Sequence, residues 1–163
     1  MLLNQRGDPT AALKVLEDLV PQAPAALPLI ASQLAQLAST SGRGKPVLTM
    51  LKQQYEHAPS IDVLAAIVAL EMHLGETSAQ ARTWYLRHLE REPSLVAAAK
   101  WIAGEKLEHE QFHPLVQRAL DHAVKPLTRY RCAACGFEAK QHFWQCPGCQ
   151  AWDSYPARRV EEL

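Results

Sequence analysis

Lys45-Pro46-Val47-Leu48-Thr49-Met50-Leu51-Lys52-Gln53-Gln54-Tyr55-Glu56-His57-Ala58-Pro59 places Val47 four residues before Leu51 and twelve before Pro59. The same spacing occurs on either side of it, at Ala12, Leu16 and Pro24 and again at Ala81, Tyr85 and Pro93. Positions four apart share one face of a helix. A small residue at the first position lets a neighbouring helix come close, and a large apolar one at the second fills the space beside it. The proline ends the helix, because it cannot continue the hydrogen-bond ladder and pushes the residue before it out of the helical region. Pro126 extends the series, so the four prolines are separated by 35, 34 and 33 residues.

A helix-turn-helix unit of about 34 residues with this pattern is the tetratricopeptide repeat. The first helix of each unit is also visible. Residues 25–40 carry Leu29, Ile30, Leu34, Leu37 and Ala38 at helical spacing, and Ser41-Gly42-Arg43-Gly44 breaks the pattern before a second helix over 45–57. Ser60 is an N-cap for the next helix, which ends near Gly75 ahead of a partner over 78–91. Ser94 caps a further helix running to about Leu107, with 113–125 as its partner. Pro114 stands where this last pair needs a small residue, so the fourth unit is expected to be degenerate, as terminal repeats are. At the other end Gly7-Asp8 falls in the turn of a repeat, leaving Met1 to Arg6 for a helix that needs about a dozen residues. On this register the chain begins inside a repeat, and Met1 is a truncation or a late start.

After Pro126 the text changes. Tyr130-Arg131-Cys132-Ala133-Ala134-Cys135-Gly136-Phe137 is followed, ten residues after Cys135, by Cys146-Pro147-Gly148-Cys149. Two C-x2-C pairs are the signature of a tetrahedral four-sulfur metal site, each pair wrapping the ion from a tight turn. Gly136 and Pro147-Gly148 supply the turn conformations, and the short spacer suits a hairpin of 137–139 with 142–144. Disulfides are the rival reading, but the chain has no other cysteine and no secretory signal, which points to the reducing cytosol. A thioredoxin-like site needs a βαβ pattern that is absent here, and a catalytic zinc keeps a position open that four thiolates close. One structural zinc held by Cys132, Cys135, Cys146 and Cys149 is expected, with iron as the other metal that four thiolates accept. His142 lies inside the motif without being needed as a ligand. Six of the eleven aromatic residues fall in this window, among them Phe143, Trp144 and Trp152; a ribbon with so little core is expected to use them to cover the metal and the last helices, with a docking surface as the alternative.

Composition narrows the rest. Seventeen basic residues balance seventeen acidic ones, which excludes a surface built as a trap for nucleic acid. Four metal-bound thiolates and one divalent ion add about −2 to that zero. The longest apolar run, Val63 to Leu70, has eight residues, too few to cross a bilayer. No Ser-His-Asp order, glycine-rich phosphate loop or His-Glu-x-x-His helix occurs, so an enzyme is not expected. His109 and His113 with Glu105, Glu108 and Glu110 could build a second metal site, but read better as a solvated helix end.

The array running into Tyr130, Cys132, Cys135, Gly136 and Phe137, then Trp144, Cys146, Pro147, Cys149, Ala151 and Trp152, resembles the C-terminal part of the lipopolysaccharide assembly protein B family of Gram-negative bacteria. The resemblance implies a mostly α fold: a tetratricopeptide-type helical-hairpin array over 1–127, a rubredoxin-type metal ribbon over 128–155 and a C-terminal tail over 156–163. It also implies a non-enzymatic adaptor that regulates lipopolysaccharide biosynthesis. Members of that family sit at the cytoplasmic face of the inner membrane on an N-terminal helix. With a membrane-bound AAA protease they promote proteolysis of the deacetylase that commits precursor to lipid A, and their ribbon cysteines are required. The expected partners are therefore those two proteins, a homo-oligomer being allowed. Membrane contact is expected only through an anchor that this stretch lacks, and the chain itself is expected to be cytoplasmic.

Two other functions compete. Lys125, Arg129, Arg131, Lys140, Arg158 and Arg159 beside aromatic rings suit a nucleic-acid-binding zinc ribbon, although Glu138, Asp153, Glu161 and Glu162 oppose it. An iron-loaded site would make an electron carrier.

Overall fold

The computed structural model describes residues 8–106 and 109–163, and two compact units divide the chain, one ending at Ala81 and one running from Arg82 to Leu163. The chain is mostly helical. The expected helix over Met1–Arg6 and the expected helix end at Leu107 lie outside the described residues.

In the first unit α1 (Pro9–Gln22), α2 (Leu27–Thr40), α3 (Gly44–His57) and α4 (Ile61–His73) form successive antiparallel hairpins. Each helix packs on the next, and α2 also packs closely on α4. Local chemistry sets the bounds. Asp8 accepts a hydrogen bond from the Ala11 amide to open α1, and Ser60 accepts from the Asp62 amide to open α4. The next helix, α5 (Ser78–Arg91), begins with a capping box, in which Thr77 Oγ1 accepts from the Gln80 amide and Gln80 Oε1 accepts from the Thr77 amide. Gln22, His57 and Arg91 each end a helix two residues before a periodic proline. Ala23 and Ala58, the residues before Pro24 and Pro59, have left the helical region at φ −140° and −141°.

The spacing also predicts the packing. Ala12, Val47 and Ala81 are all buried, as are Leu51 and Tyr85. The apolar run that is too short for a membrane becomes α4, whose Val63, Leu64, Ala66, Ile67, Val68 and Leu70 are buried and form the middle of the unit's core. Glu71 is buried at the end of the same helix, with Lys52 Nζ of α3 at 2.6 Å to neutralise its carboxylate. Between α2 and α4 runs a groove of about 300 Å³, lined by Ser32, Gln36, Ser39, Asp62, Ala66 and Ala69.

The second unit takes up the C-terminal part of α5, then α6 (Leu95–Ile102) and α7 (His113–Val124), which pack together. Pro114 is accommodated because it sits in the first turn of α7, where no helical hydrogen bond is lost. Val124 again stops two residues before a proline, but Lys125 stays helical at φ −52°, ψ −47°, so this junction departs from the others. A two-stranded antiparallel sheet follows, β1 (Tyr130–Arg131) with β2 (Glu138–Ala139), pairing Tyr130 with Ala139 and Arg131 with Glu138. The strands differ from the expected hairpin of 137–139 with 142–144. The chain reverses within the first cysteine turn itself, so the flanks of that turn pair with each other.

No helix among the described residues is long and apolar enough to cross a membrane.

Candidate metal centre

The ribbon contains one small motif built twice, fourteen residues apart. In the first copy the Cys132 amide donates to Phe137 O at 3.0 Å and the Gly136 amide to Cys132 O at 2.8 Å. In the second the Cys146 amide donates to Ala151 O at 2.9 Å and the Gln150 amide to Cys146 O at 2.8 Å. Each turn is bracketed by an antiparallel pair in the same register, Arg131 with Glu138 and Gln145 with Trp152. In both, the residue after the second cysteine lies in the left-handed region, Gly136 at φ +77° and Gln150 at φ +61°. The sequence suggests that Pro147-Gly148 supplies the unusual backbone of the second turn, but the residue that adopts it is Gln150. Gly148 serves a different need: a Cβ there would come within 3.3 Å of the Phe137 ring, and its amide points at Cys146 Sγ at 3.4 Å.

The two turns bring the four sulfurs within 4.8 Å of one another. Cys132 Sγ lies 3.8 Å from Cys149 Sγ, and Cys135 Sγ lies 3.7 Å from Cys146 Sγ. Four thiolates about 2.3 Å from one tetrahedral ion have edges of about 3.8 Å, so the donor set fits a zinc-sized ion. The first cysteine of each pair is buried and the second exposed, as the repeated motif requires. Among the described residues this is the one group of metal-ligating side chains so arranged.

The ionisation of the thiols makes the same point. Hydrogen bonding with Ser154, whose Oγ is 3.2 Å from Cys132 Sγ, and with the amides of the turn lowers Cys132 to about 6, although burial opposes this. At Cys135 the Phe137 amide favours the thiolate, but hydrogen bonding with Cys149, burial and the other sulfurs outweigh it and push the group up to about 12. Four thiolates this close repel one another, and a divalent cation is what allows all of them to ionise together.

Ser154 and Tyr155 complete the site, and the motif spacing did not single them out. Tyr155 is buried and donates its hydroxyl hydrogen to Phe137 O at 3.1 Å, tying the end of the ribbon across the first turn. Desolvation, with Cys146 beside it, raises its hydroxyl to about 12. His142 is taken up by structure: its Nε2 lies 2.9 Å from Tyr155 O, and its ring meets Tyr130, Trp144 and Tyr155 edge-on. The tryptophans depart from expectation. Trp144 is 61% exposed and Trp152 68%, whereas Tyr130 and Tyr155, of the same six expected rings, are buried.

The charged candidates sort similarly. Arg129 and Arg131 both reach Glu138, at 3.7 and 2.8 Å, and the Arg159 guanidinium stacks over Tyr130 at 4.1 Å. Three of the six basic residues expected beside the ribbon thus hold it together. Of the second candidate metal cluster, His113 lies 3.2 Å from Ile102 O and Glu105 pairs with Arg82, while Glu108 lies outside the described residues.

A mostly helical chain that closes in a doubled cysteine turn defines a helical-hairpin protein carrying a rubredoxin-type centre for one metal ion. Residues 130–155 match the rubredoxin metal binding domain. Over 92 residues, 53% of this chain, it is 29% identical to lipopolysaccharide assembly protein B of Escherichia coli K12, and over 96 residues, 56% of the chain, 25% identical to the protein of the same name from Haemophilus influenzae. Over the matched stretches the chain is thus similar to lipopolysaccharide assembly proteins B, with its cysteine ribbon matched on its own account. The matched stretch covers 24% of each relative, so the chain spans about a quarter of their length. Both relatives carry the name of an assembly protein rather than of an enzyme.

Proposed function

We propose that the chain is a non-enzymatic adaptor in the control of lipopolysaccharide biosynthesis, with tetratricopeptide-type repeats over 1–127 as the binding scaffold and the ribbon over 128–155 as a metal-stiffened element. The observation that carries this reading is the tetrahedral spacing of the four sulfurs, within a segment matched to the rubredoxin metal binding domain, in a chain similar to named lipopolysaccharide assembly proteins. Cys132, Cys135, Cys146 and Cys149 hold one zinc, whose role is structural because four thiolates leave no open position. The groove between α2 and α4 is open and mixed in polarity, as suits an extended peptide. By resemblance the partners are the membrane AAA protease and the lipid A-committing deacetylase, met at the cytoplasmic face of the inner membrane, and the outcome is proteolysis of the deacetylase.

Co-purification from a Gram-negative host tests this, comparing the whole chain with a version ending before residue 129 and with Cys146→Ser. The whole chain should bring down the protease or the deacetylase and carry about one zinc, and both altered forms should lose the partners while keeping their helix content. Equal capture by all three would remove the ribbon from the function. A coloured, redox-active preparation with iron in place of zinc would favour electron transfer instead.

A further inference from the structure

We propose that the last residues of the chain, Arg159 to Leu163, form a strap that makes the capping of α6 depend on the metal in the ribbon. The proposal rests on the reading of the four cysteines as ligands.

The start of α6 is not capped by its own sequence alone. Ser94 Oγ accepts from the Ala97 amide at 2.9 Å and donates onward to Glu161 Oε2 at 2.8 Å, while the Val96 amide donates to Glu161 Oε1 at 3.0 Å. A carboxylate from 65 residues away therefore satisfies a first-turn amide of this helix and places a negative charge at the positive end of its dipole.

Glu161 is held in that position by the approach to the ribbon. Its own amide donates to Leu127 O at 3.2 Å, and the Val160 amide donates to Arg129 O at 2.8 Å. Arg159 donates to Thr128 O at 2.7 Å and stacks on the buried Tyr130 ring, and its amide is closed by Glu162 Oε2 at 2.9 Å. The strap thus grips residues 127–130 with one side and α6 with the other.

Tyr130 is the connection to the metal. It lies in β1 two residues before Cys132, and among the described residues β1 pairs with β2 across the turn that Cys132 and Cys135 make. A ribbon of this size has too little core to keep that turn without an ion. Loss of metal therefore frees Tyr130, Arg159 loses its platform, and Glu161 leaves the Val96 amide. Linkage requires the converse: cutting the strap weakens metal binding by the same factor.

Hydrogen exchange on the intact chain tests both directions, because Glu161 is the partner of the Val96 amide. Metal-loaded wild type, the same protein stripped by a chelator, and metal-loaded Glu161→Ala and Glu161→Gln are compared, with metal content measured on each sample. Stripping and Glu161→Ala should each speed exchange at Val96 at least about tenfold, and Glu161→Gln, which keeps an acceptor, should fall between. Glu161→Ala should also release zinc to a competing chelator at least about tenfold more readily, the same factor by which stripping unprotects Val96 and within the range of ordinary couplings. Metal loss with unchanged protection at Val96 would overturn the strap alone. Unchanged Val96 exchange in metal-loaded Glu161→Ala would do the same, and a chain that never holds metal would overturn the ligand reading and the strap together.

Discussion

Gln150→Gly and Gly136→Ala exchange the residue types at the two equivalent corners of the ribbon, and should move metal affinity in opposite directions. Gln150 sits at φ +61°, where a side chain costs about 1–2 kcal/mol through the clash of its Cβ with the backbone. Glycine removes that cost but gives the unfolded chain more freedom, worth about 0.5–1 kcal/mol, so the net gain is about 0.5–1 kcal/mol. Gly136 is at φ +77° with open space around a Cβ, so Gly136→Ala meets backbone strain and no steric neighbour, and should lose about 1 kcal/mol. Where folding of the ribbon is driven by the metal, these differences appear in apparent affinity, as a gain of about two- to fivefold for Gln150→Gly and a loss of about fivefold for Gly136→Ala. Competition with a chromophoric chelator at fixed pH reads both. Equal affinity in all three proteins would mean that the metal-free ribbon is already folded, and weaker binding by Gln150→Gly would refute the equivalence of the two corners.

Three further perturbations address the rest of the molecule. With the four sulfurs in place Cys135 is pushed up to about 12, and in an opened ribbon it is an ordinary thiol near about 8.5, so in either case it must give up a proton when metal binds near neutrality; apparent metal affinity should rise with pH by at least about tenfold per unit between about pH 6.5 and 8. A flat profile in the chelator competition would contradict thiolate ligation. Leu64→Ala, at a fully buried position of α4, should cost about 2–5 kcal/mol in urea unfolding followed by far-UV circular dichroism, and a loss below about 1 kcal/mol would place Leu64 outside the core. Thr77→Ala opens the capping box of α5 and should cost about 1 kcal/mol in the same assay, with Thr77→Ser retaining most of it.

The helices were legible because their signals are local. A proline beyond the first turn ends a helix within about two residues wherever the chain is going, and a small residue twelve positions earlier tells which face must be approached. Ser60 and Ser94 could be read as caps for the same reason, since a cap acts within three residues. The four cysteines were legible because a metal imposes its own geometry on the residues between each pair. What could not be read was chemistry that depends on long-range placement. Nothing in Ser154 distinguishes it from other serines until the ribbon brings it to Cys132, and Glu161 counted only as a charge opposing nucleic acid until it was found on the Val96 amide.

The second cysteine turn shows a different limit, because there a local signal was present and pointed to the wrong residue. Pro147 and Gly148 are strong turn formers, and propensity alone assigns them the unusual backbone. The two turns, however, obey one hydrogen-bond plan, and that plan puts the left-handed corner four residues after the first cysteine in both. Gly136 fills that corner without strain and Gln150 does not, so the strain at Gln150 is maintained by the rest of the site. The forces able to maintain it are the pairing of Gln145 with Trp152, the amide bonds of the turn and the metal on its two sulfurs. The metal is the only one of these that can be removed reversibly, which is why the second turn, and not the glycine-cornered first one, should be the first part of the ribbon to open when the ion leaves.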